Sequence, residues 1–260
     1  MLRYYFMLGV RNLRHNPALT ALMILTLAIG VAASVSTITI LHVMSGNPIP
    51  YKSSRLLVPL IDNGPARGFV AGAQPEDRQM SYRDAVNMLQ GRQGERRAAV
   101  YGVAGVAEAV RPDLPVEEVN GLAVSSDYFA MFETPLLHGS GWSEAEDKAS
   151  AKVAVLSLSK SEKMFGKENP VGRRVRMFGE EFQIVGVLDK WNPLPRYTHL
   201  INGNGGSLKG EDEILVPFST ATGLQLSPNG NTTCTADSNP GYQGFLDSEC
   251  TWIQFWFEAK

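Results

Sequence analysis

The sequence predicts an α+β domain joined to one N-terminal membrane-spanning helix, and three observations carry that expectation. From Ala18 to Met44 the run ALTALMILTLAIGVAASVSTITILHVM holds 27 residues without a charged side chain. Downstream, short alternating apolar stretches are mixed with short segments that open on serine, the mark of strands interleaved with capped helices. Both cysteines, Cys234 and Cys250, fall in that downstream part.

Composition sets the outer limits. Apolar residues at 44% and charged residues at 19% describe a globular chain rather than a disordered one. A net charge of -2, with no basic stripe interleaved with aromatics, gives no nucleic-acid signature.

As a helix, the apolar run measures roughly 40 Å, whereas a bilayer core of about 30 Å needs only about 20 residues. The surplus implies tilt, or a turn or two projecting as a stalk. A signal peptide has an apolar core of only about 7–15 residues. Val31-Ala32-Ala33 is a passable cleavage context, but the run is too long for that reading. A core helix of a soluble protein rarely needs so many uncharged positions. An uncleaved anchor over 18–44 is the expectation.

Arg3, Arg11 and Arg14 precede the run, and the first acid is Asp62. By the positive-inside rule the N-terminus stays cytoplasmic, and Lys52 and Arg55 weaken the asymmetry without reversing it. Residues 1–17 alternate Leu2, Tyr5, Phe6, Leu8, Val10 and Leu13 with those arginines, as expected of an amphipathic helix in the cytoplasmic interface. Asn16-Pro17 predicts a bend, because the residue before proline avoids helical geometry. Residues 45–260 are then extracytoplasmic, in the periplasm or outside the cell, with the chain held in the cytoplasmic (inner) membrane.

Within the span, Ala28, Gly30, Ala32, Ser34 and Thr37 recur at helical spacing, and small residues let another helix approach closely. The bland reading is a plain anchor with incidental small residues. No ionisable group lies mid-span, so this helix alone offers no ion pathway.

Further elements follow in order. Arg55–Ile61 predicts a short strand, at an edge because of Pro59. Residues 64–75 read as a loop, and Ser81 with Asp84 caps a helix running to Leu89. Ala98–Ala109 and Val116–Val124 predict strands, and Tyr128–Phe132 a short helix leading into an extended piece that ends at Gly139. Ala151–Ser157 is the clearest buried strand. Ser159 and Glu162 predict the capping box of a helix that stops at Gly166. Arg173–Phe178 and Glu181–Leu188 form a hairpin turning at Gly179-Glu180. Residues 201–210 read as a mobile Gly/Asn-rich loop, and Glu213–Pro217 as a strand. A long polar insertion spans 223–250. Thr251–Glu258 alternates as a strand, with Trp252, Gln254 and Trp256 on one face and Ile253, Phe255 and Phe257 on the other.

Cys234 and Cys250, once exported, are expected to pair. The bridge would close a loop of about 15 residues and contribute roughly 3 kcal/mol through loop-closure entropy; two free thiols are the alternative. No histidine or second cysteine pair lies near with ligand spacing, so no metal and no cofactor is expected.

Catalytic signatures are absent from the sequence. His138 and His199 sit in unrelated contexts, with no G-x-S-x-G elbow and no H-E-x-x-H. Glu144, Glu146 and Asp147 read as a solvated helix start, and Gly203–Gly206 lacks the Lys-Ser/Thr of a phosphate loop. Asn231-Thr232-Thr233 is a glycosylation sequon by letter only. Trp191, Trp252 and Trp256 are candidates for partner contact, with burial in the core the preferred reading.

The string FGKENPVGRRVRMFGEEFQIVGV, residues 165–187, resembles the extracytoplasmic core domain of ABC transporter permeases of the MacB/FtsX type. Phe165, Gly166, Pro170, Val171, Gly172, Arg173, Gly179, Phe182, Val185, Gly186 and Val187 fit its pattern. Tyr128-Phe129 and Leu136-Leu137-x-Gly139 match an earlier family segment, with Ser140 where the family usually has arginine. The N-terminus is similar to the start of such permeases, and the resemblance spans most of residues 1–220.

The resemblance implies a periplasmic core domain of MacB-like fold and a permease subunit, or its N-terminal part, which is not itself an enzyme. It implies an ABC ATPase partner whose motion long helices carry to the exported domain for efflux. It also implies another permease copy or chain, a periplasmic adaptor, and three further spans. None of those spans is in the sequence, so a fragment, or a second polypeptide supplying the rest, is expected. The runner-up is a single-pass anchored binding or sensor module working without an ATPase.

Overall fold

The computed structural model describes residues 2–47, 49–61, 79–92, 94–108, 110, 115–191, 193, 196–199, 211–234 and 240–260. The expected loops at 64–75 and 201–210 lie outside the described residues. The chain divides into two compact units, Met1–Pro48 and Ile49–Lys260.

The first unit is two helices, α1 (Leu2–His15) and α2 (Pro17–Met44). Asn16 separates them at φ -127°, and Pro17 takes the first helical position, where its missing N–H costs nothing. Pro17–Val43 is long and apolar enough to cross a membrane. Hydroxyls inside it fold back onto the preceding turn, Ser34 to the Gly30 carbonyl and Thr37 to that of Ala33, each at 2.9 Å. Their polarity is thereby satisfied within the helix.

The second unit is a mixed α/β domain with ten strands among the described residues: β1 (Leu56–Leu57), β2 (Gln79–Met80), β3 (Arg96–Ala107), β4 (Glu117–Val124), β5 (Leu136–Gly139), β6 (Val153–Leu156), β7 (Arg174–Met177), β8 (Glu180–Leu188), β9 (Ile214–Pro217) and β10 (Ile253–Glu258). Their order is β1-β10-β3-β4-β9-β6-β8-β5, with β2 beside β10. Most neighbours are antiparallel, while β4–β9 and β6–β8 are parallel. β7 pairs with both β8 and the end of β3, through Ala107 and Met177. The path β3-β4-β9-β6-β8-β7 therefore closes on itself, which removes exposed edges from most of the sheet.

Alternation along each strand sorts the side chains into two cores. Inside the ring lie Tyr101, Val103, Val119, Leu156, Val175, Met177, Phe182, Ile184 and Val216. Over the outer face, Ala98, Val100, Leu122, Val124, Val155 and Trp256 pack under α4 (Tyr128–Phe132). The remaining helices are α3 (Tyr82–Gln90), α5 (Glu144–Lys148), α6 (Leu158–Phe165), α7 (Phe218–Gly223) and α8 (Gly241–Leu246).

Several local expectations are corrected. The strand expected over 55–61 shrinks to β1, after a 3₁₀ turn at Ser53–Arg55. Ser157, not Ser159, caps α6 and accepts from the Lys160 amide, while the Ser159 hydroxyl turns to Glu211. The hairpin turns at Phe178-Gly179, one residue earlier than expected; both lie at positive φ, 54° and 81°. That conformation matches the twist of the flanking strands.

The stretch 223–250 is less of an insertion than its polarity suggests. It contains α8, and Leu224, Leu226, Tyr242, Phe245 and Leu246 pack on the inner core. Cys234 and Cys250 are joined by a disulfide, and Thr233 pairs with Thr251 beside it. Trp252 precedes β10 and packs with Ile253 and Phe255 in the inner core rather than with Trp256, because alternation begins only at Ile253.

Candidate functional site

The resemblance motif builds the closing strands. Phe165 ends α6 in the core, and Gly166 terminates the helix at φ 70°. The Arg173 guanidinium lies over the Phe165 ring at 5.6 Å. Pro170 to Arg173 is a tight turn: the Arg173 amide donates to the Pro170 carbonyl at 2.9 Å, with Val171 exposed and Gly172 at φ 90°. Gly179 makes the next turn, and Phe182 points into the ring. A Cβ on Gly186 would lie 2.6 Å from the Ser140 carbonyl, so only glycine lets β5 approach β8 here. None of these residues presents a reactive group to a cleft. The motif specifies a fold.

Tyr128 belongs to α4 and is fully buried, donating to the Thr198 hydroxyl at 3.0 Å. Trp256 donates to the Thr198 carbonyl at 3.0 Å, and the Phe132 and Trp256 rings meet edge to face. Trp191 packs partly buried on the same cluster. All three tryptophans proposed as contact candidates are thus packed in or against the core.

A cluster of charged side chains gathers around Glu258 and the first residues of the second unit. Glu258, on the last strand, is 1% exposed and is gripped by Arg96 at 2.8 Å, Lys52 at 3.3 Å and Arg55 at 3.4 Å. The Glu258 hydrogen bond raises the already high Arg96 pKa further. Lys52 is itself buried, donates to the Ala130 carbonyl at 2.9 Å, and lies 3.6 Å from Glu133. Arg55 also meets Glu95 at 2.5 Å, and its Nε donates to the Ala259 carbonyl at 2.9 Å. Three cations and three carboxylates balance; Lys52 and Glu258 are buried at the centre, and Arg55, Arg96, Glu95 and Glu133 are partly exposed around them. Sequence reasoning passed over this cluster, because its members lie far apart along the chain. The one available signal was Glu258, the single acid in TWIQFWFEAK.

Two other buried charge groups stand elsewhere. Lys160 is 2% exposed between Glu117 and Glu213, each at 3.3 Å. Hydrogen bonding to Lys163 is the main reason the Glu117 carboxyl is held below its ordinary range. Arg196 pairs with Asp212 at 2.9 Å, and burial pushes Asp212 up to about 6. Burial also pushes the neighbouring His199 down to about 4.

Glu144 and Glu146 stand at the start of α5 as expected, Glu146 closing a capping box with Ser143. Asp147 departs from that expectation. Its carboxylate is buried and receives the Ser126 amide at 3.0 Å and the Ser219 hydroxyl at 2.8 Å, so it ties α5 to α7. Among the described residues, no three His, Cys, Asp or Glu side chains are grouped to hold a metal ion. Ala28, Gly30, Ala32, Ser34 and Thr37 all lie exposed on α2, and a Cβ on Gly30 would meet nothing.

Comparison with known proteins agrees with this architecture. The family model for the MacB-like periplasmic core domain matches residues 20–242. A pyoverdine export ATP-binding/permease protein, PvdT of Pseudomonas savastanoi pv. phaseolicola, is 31% identical over 115 residues, 42% of this chain and 16% of that protein. A macrolide export ATP-binding/permease protein, MacB of Wolinella succinogenes, is 33% identical over 103 residues, 38% of this chain and 14% of that protein. The chain thus matches a small fraction of the length of these relatives. The periplasmic region of MacB from Actinobacillus actinomycetemcomitans superposes with a TM-score of 0.50 at 14% identity, over 84% of this chain and 80% of that one, which supports the fold alone. The family-model match over residues 20–242, most of the chain, places it in the MacB-like periplasmic core domain family of MacB/FtsX-type ABC permeases.

Proposed function

We propose that this chain is the anchored, extracytoplasmic module of an ABC permease and transmits motion from an ATPase partner for export. In this reading α2 spans the cytoplasmic membrane once, α1 lies in the cytoplasmic interface with its arginines near anionic headgroups, and residues 45–260 face away from the cytoplasm. Further spans, from this protein or another copy or chain, would pack on the small-residue face of α2 at Ala28, Gly30, Ala32, Ser34 and Thr37. A periplasmic adaptor is a further proposed partner. No catalytic chemistry is assigned to the domain.

The observation that carries this reading is the pairing of β1 with β10, Leu56 opposite Glu258 and Leu57 opposite Phe257. The segment arriving from the first unit and the last strand lie side by side. A segment tied into the sheet directly after the first unit is suited to passing motion from the membrane to the domain.

Isolation of the tagged chain from its native membrane tests the proposal. We expect an ABC ATPase to co-purify, with hydrolysis sensitive to vanadate, and the reading frame or a neighbouring gene to supply three more apolar segments. Recovery of the chain without any nucleotide-binding subunit, and a genome with no such gene beside it, would instead favour an anchored sensor.

A further inference from the structure

We infer that the charged cluster around the buried Lys52–Glu258 pair is a mechanical clasp, which joins the segment Ile49–Leu57, α4 and β10 into one body. The use assigned to it rests on the permease reading; the clasp itself does not.

Backbone pairing alone holds the incoming segment weakly, because β1 contributes only two residues. Ionic contacts supply the rest, and they reach in two directions. Towards β10, Lys52 and Arg55 both engage Glu258, the Ala259 amide donates to the Arg55 carbonyl at 2.8 Å, and Arg55 Nε returns to Ala259. Towards α4, Lys52 donates to the Ala130 carbonyl and pairs with Glu133, and the Tyr51 hydroxyl donates to the same Glu133. Arg96 and the Glu95 amide, which donates to the Glu258 carbonyl at 2.7 Å, bind the cluster to β3.

Only Lys52–Glu258 is buried on both sides, and a buried ion pair is a poor source of net stability, yet it fixes a distance and a direction. Loss of one partner leaves an uncompensated charge, so the cluster resists stretching more steeply than an apolar contact would. Glu133 adds independent support. It ends α4 in the left-handed region at φ 50°, a conformation that favours glycine, and its side chain receives both Tyr51 and Lys52. A carboxylate occupies a position where the backbone alone would favour glycine. From α4 the path continues through Phe132 and Tyr128 to Trp256 and Thr198, so displacement at Ile49 reaches the outer core directly.

Hydrogen–deuterium exchange on the full chain in lipid nanodiscs tests the clasp without any ATPase. In the unmodified chain we expect the amides of 49–57, Glu95 and Ala259 to be protected together. Glu258→Gln and Lys52→Met should each speed exchange in 49–57 by about tenfold or more, with β6 and β8 unchanged. Glu133→Gly, which relieves the backbone at that position, should loosen 49–55 without lowering the melting temperature, and it decides the matter if Glu258→Gln unfolds the domain. An unprotected 49–57 segment in the unmodified chain would overturn the clasp. So would variants that leave its exchange unchanged, or loss of protection throughout β3–β8 in both Glu258→Gln and Glu133→Gly. A protected clasp in a chain that recruits no ATPase would sink the permease reading alone.

Discussion

Asp212 and His199 are both driven towards their neutral forms by burial, and their pH dependences oppose each other. Asp212 titrates near 6 in the folded chain against an ordinary 3.8, so between those values the folded state binds more protons than the unfolded one. Its contribution to stability therefore falls as pH rises through that window. His199 titrates near 4 against an ordinary 6.5, so the folded state binds fewer protons there, and stability rises with pH. Each effect is worth roughly 3 kcal/mol, and together they nearly cancel between about pH 4 and 6. Asp212→Asn should leave a chain whose urea midpoint climbs from pH 4 to 6.5. His199→Asn should leave one whose midpoint falls from pH 4 to 6. Slopes of the same sign in the two variants would refute the assignment. Neither shift was legible in the sequence, because both arise from burial of segments that are remote from one another along the chain.

At the scale of elements, close backbone approach decides which positions tolerate a methyl group. Gly186→Ala would push a Cβ into the Ser140 and His138 carbonyls, and should cost about 1–3 kcal/mol by forcing β5 away from β8. Gly121→Ala would overlap the Ile214 carbonyl between β4 and β9 and should cost at least as much. Gly223→Ala is the contrasting case: its nearest neighbour is the Ser150 hydroxyl at 4.0 Å, at the end of α7. There the melting temperature should hold or rise slightly. Equal losses at all three sites would show that the strands are not this closely registered. Removal of the disulfide by Cys234→Ser should lower stability by roughly 3 kcal/mol, measured as a shift in urea midpoint between unmodified and variant chains. Element types followed closely from the sequence: α3 and its Ser81 cap, α4, the long strands and the hairpin were all carried by local periodicity and capping chemistry. Boundaries were not. Ser159 mimicked a cap because it lies three residues before Glu162, but Ser157 stands where the strand ends. The turn at Phe178-Gly179 was missed because a phenylalanine at positive φ carries no sequence signal. Ring closure by β7 was also beyond reach, since it depends on the distant pairing of Ala107 with Met177.

For the whole molecule, the apolar helix, the disulfide and the membership of the MacB-like family are consistent with one arrangement, an anchored extracytoplasmic domain. The resemblance motif was legible because it is local, a run of turns and two strands, and its role proved to be closure of the domain. The charged cluster was not, since Lys52 and Glu258 lie far apart along the chain. The most direct test of the arrangement is the sidedness of the domain. Alkaline phosphatase fused after Lys260 should be active and a green fluorescent protein fused at the same point dark, with the N-terminus of the purified chain intact. An inactive phosphatase with a fluorescent partner fusion, or a mature chain beginning near Ser34, would contradict an uncleaved anchor with an extracytoplasmic domain.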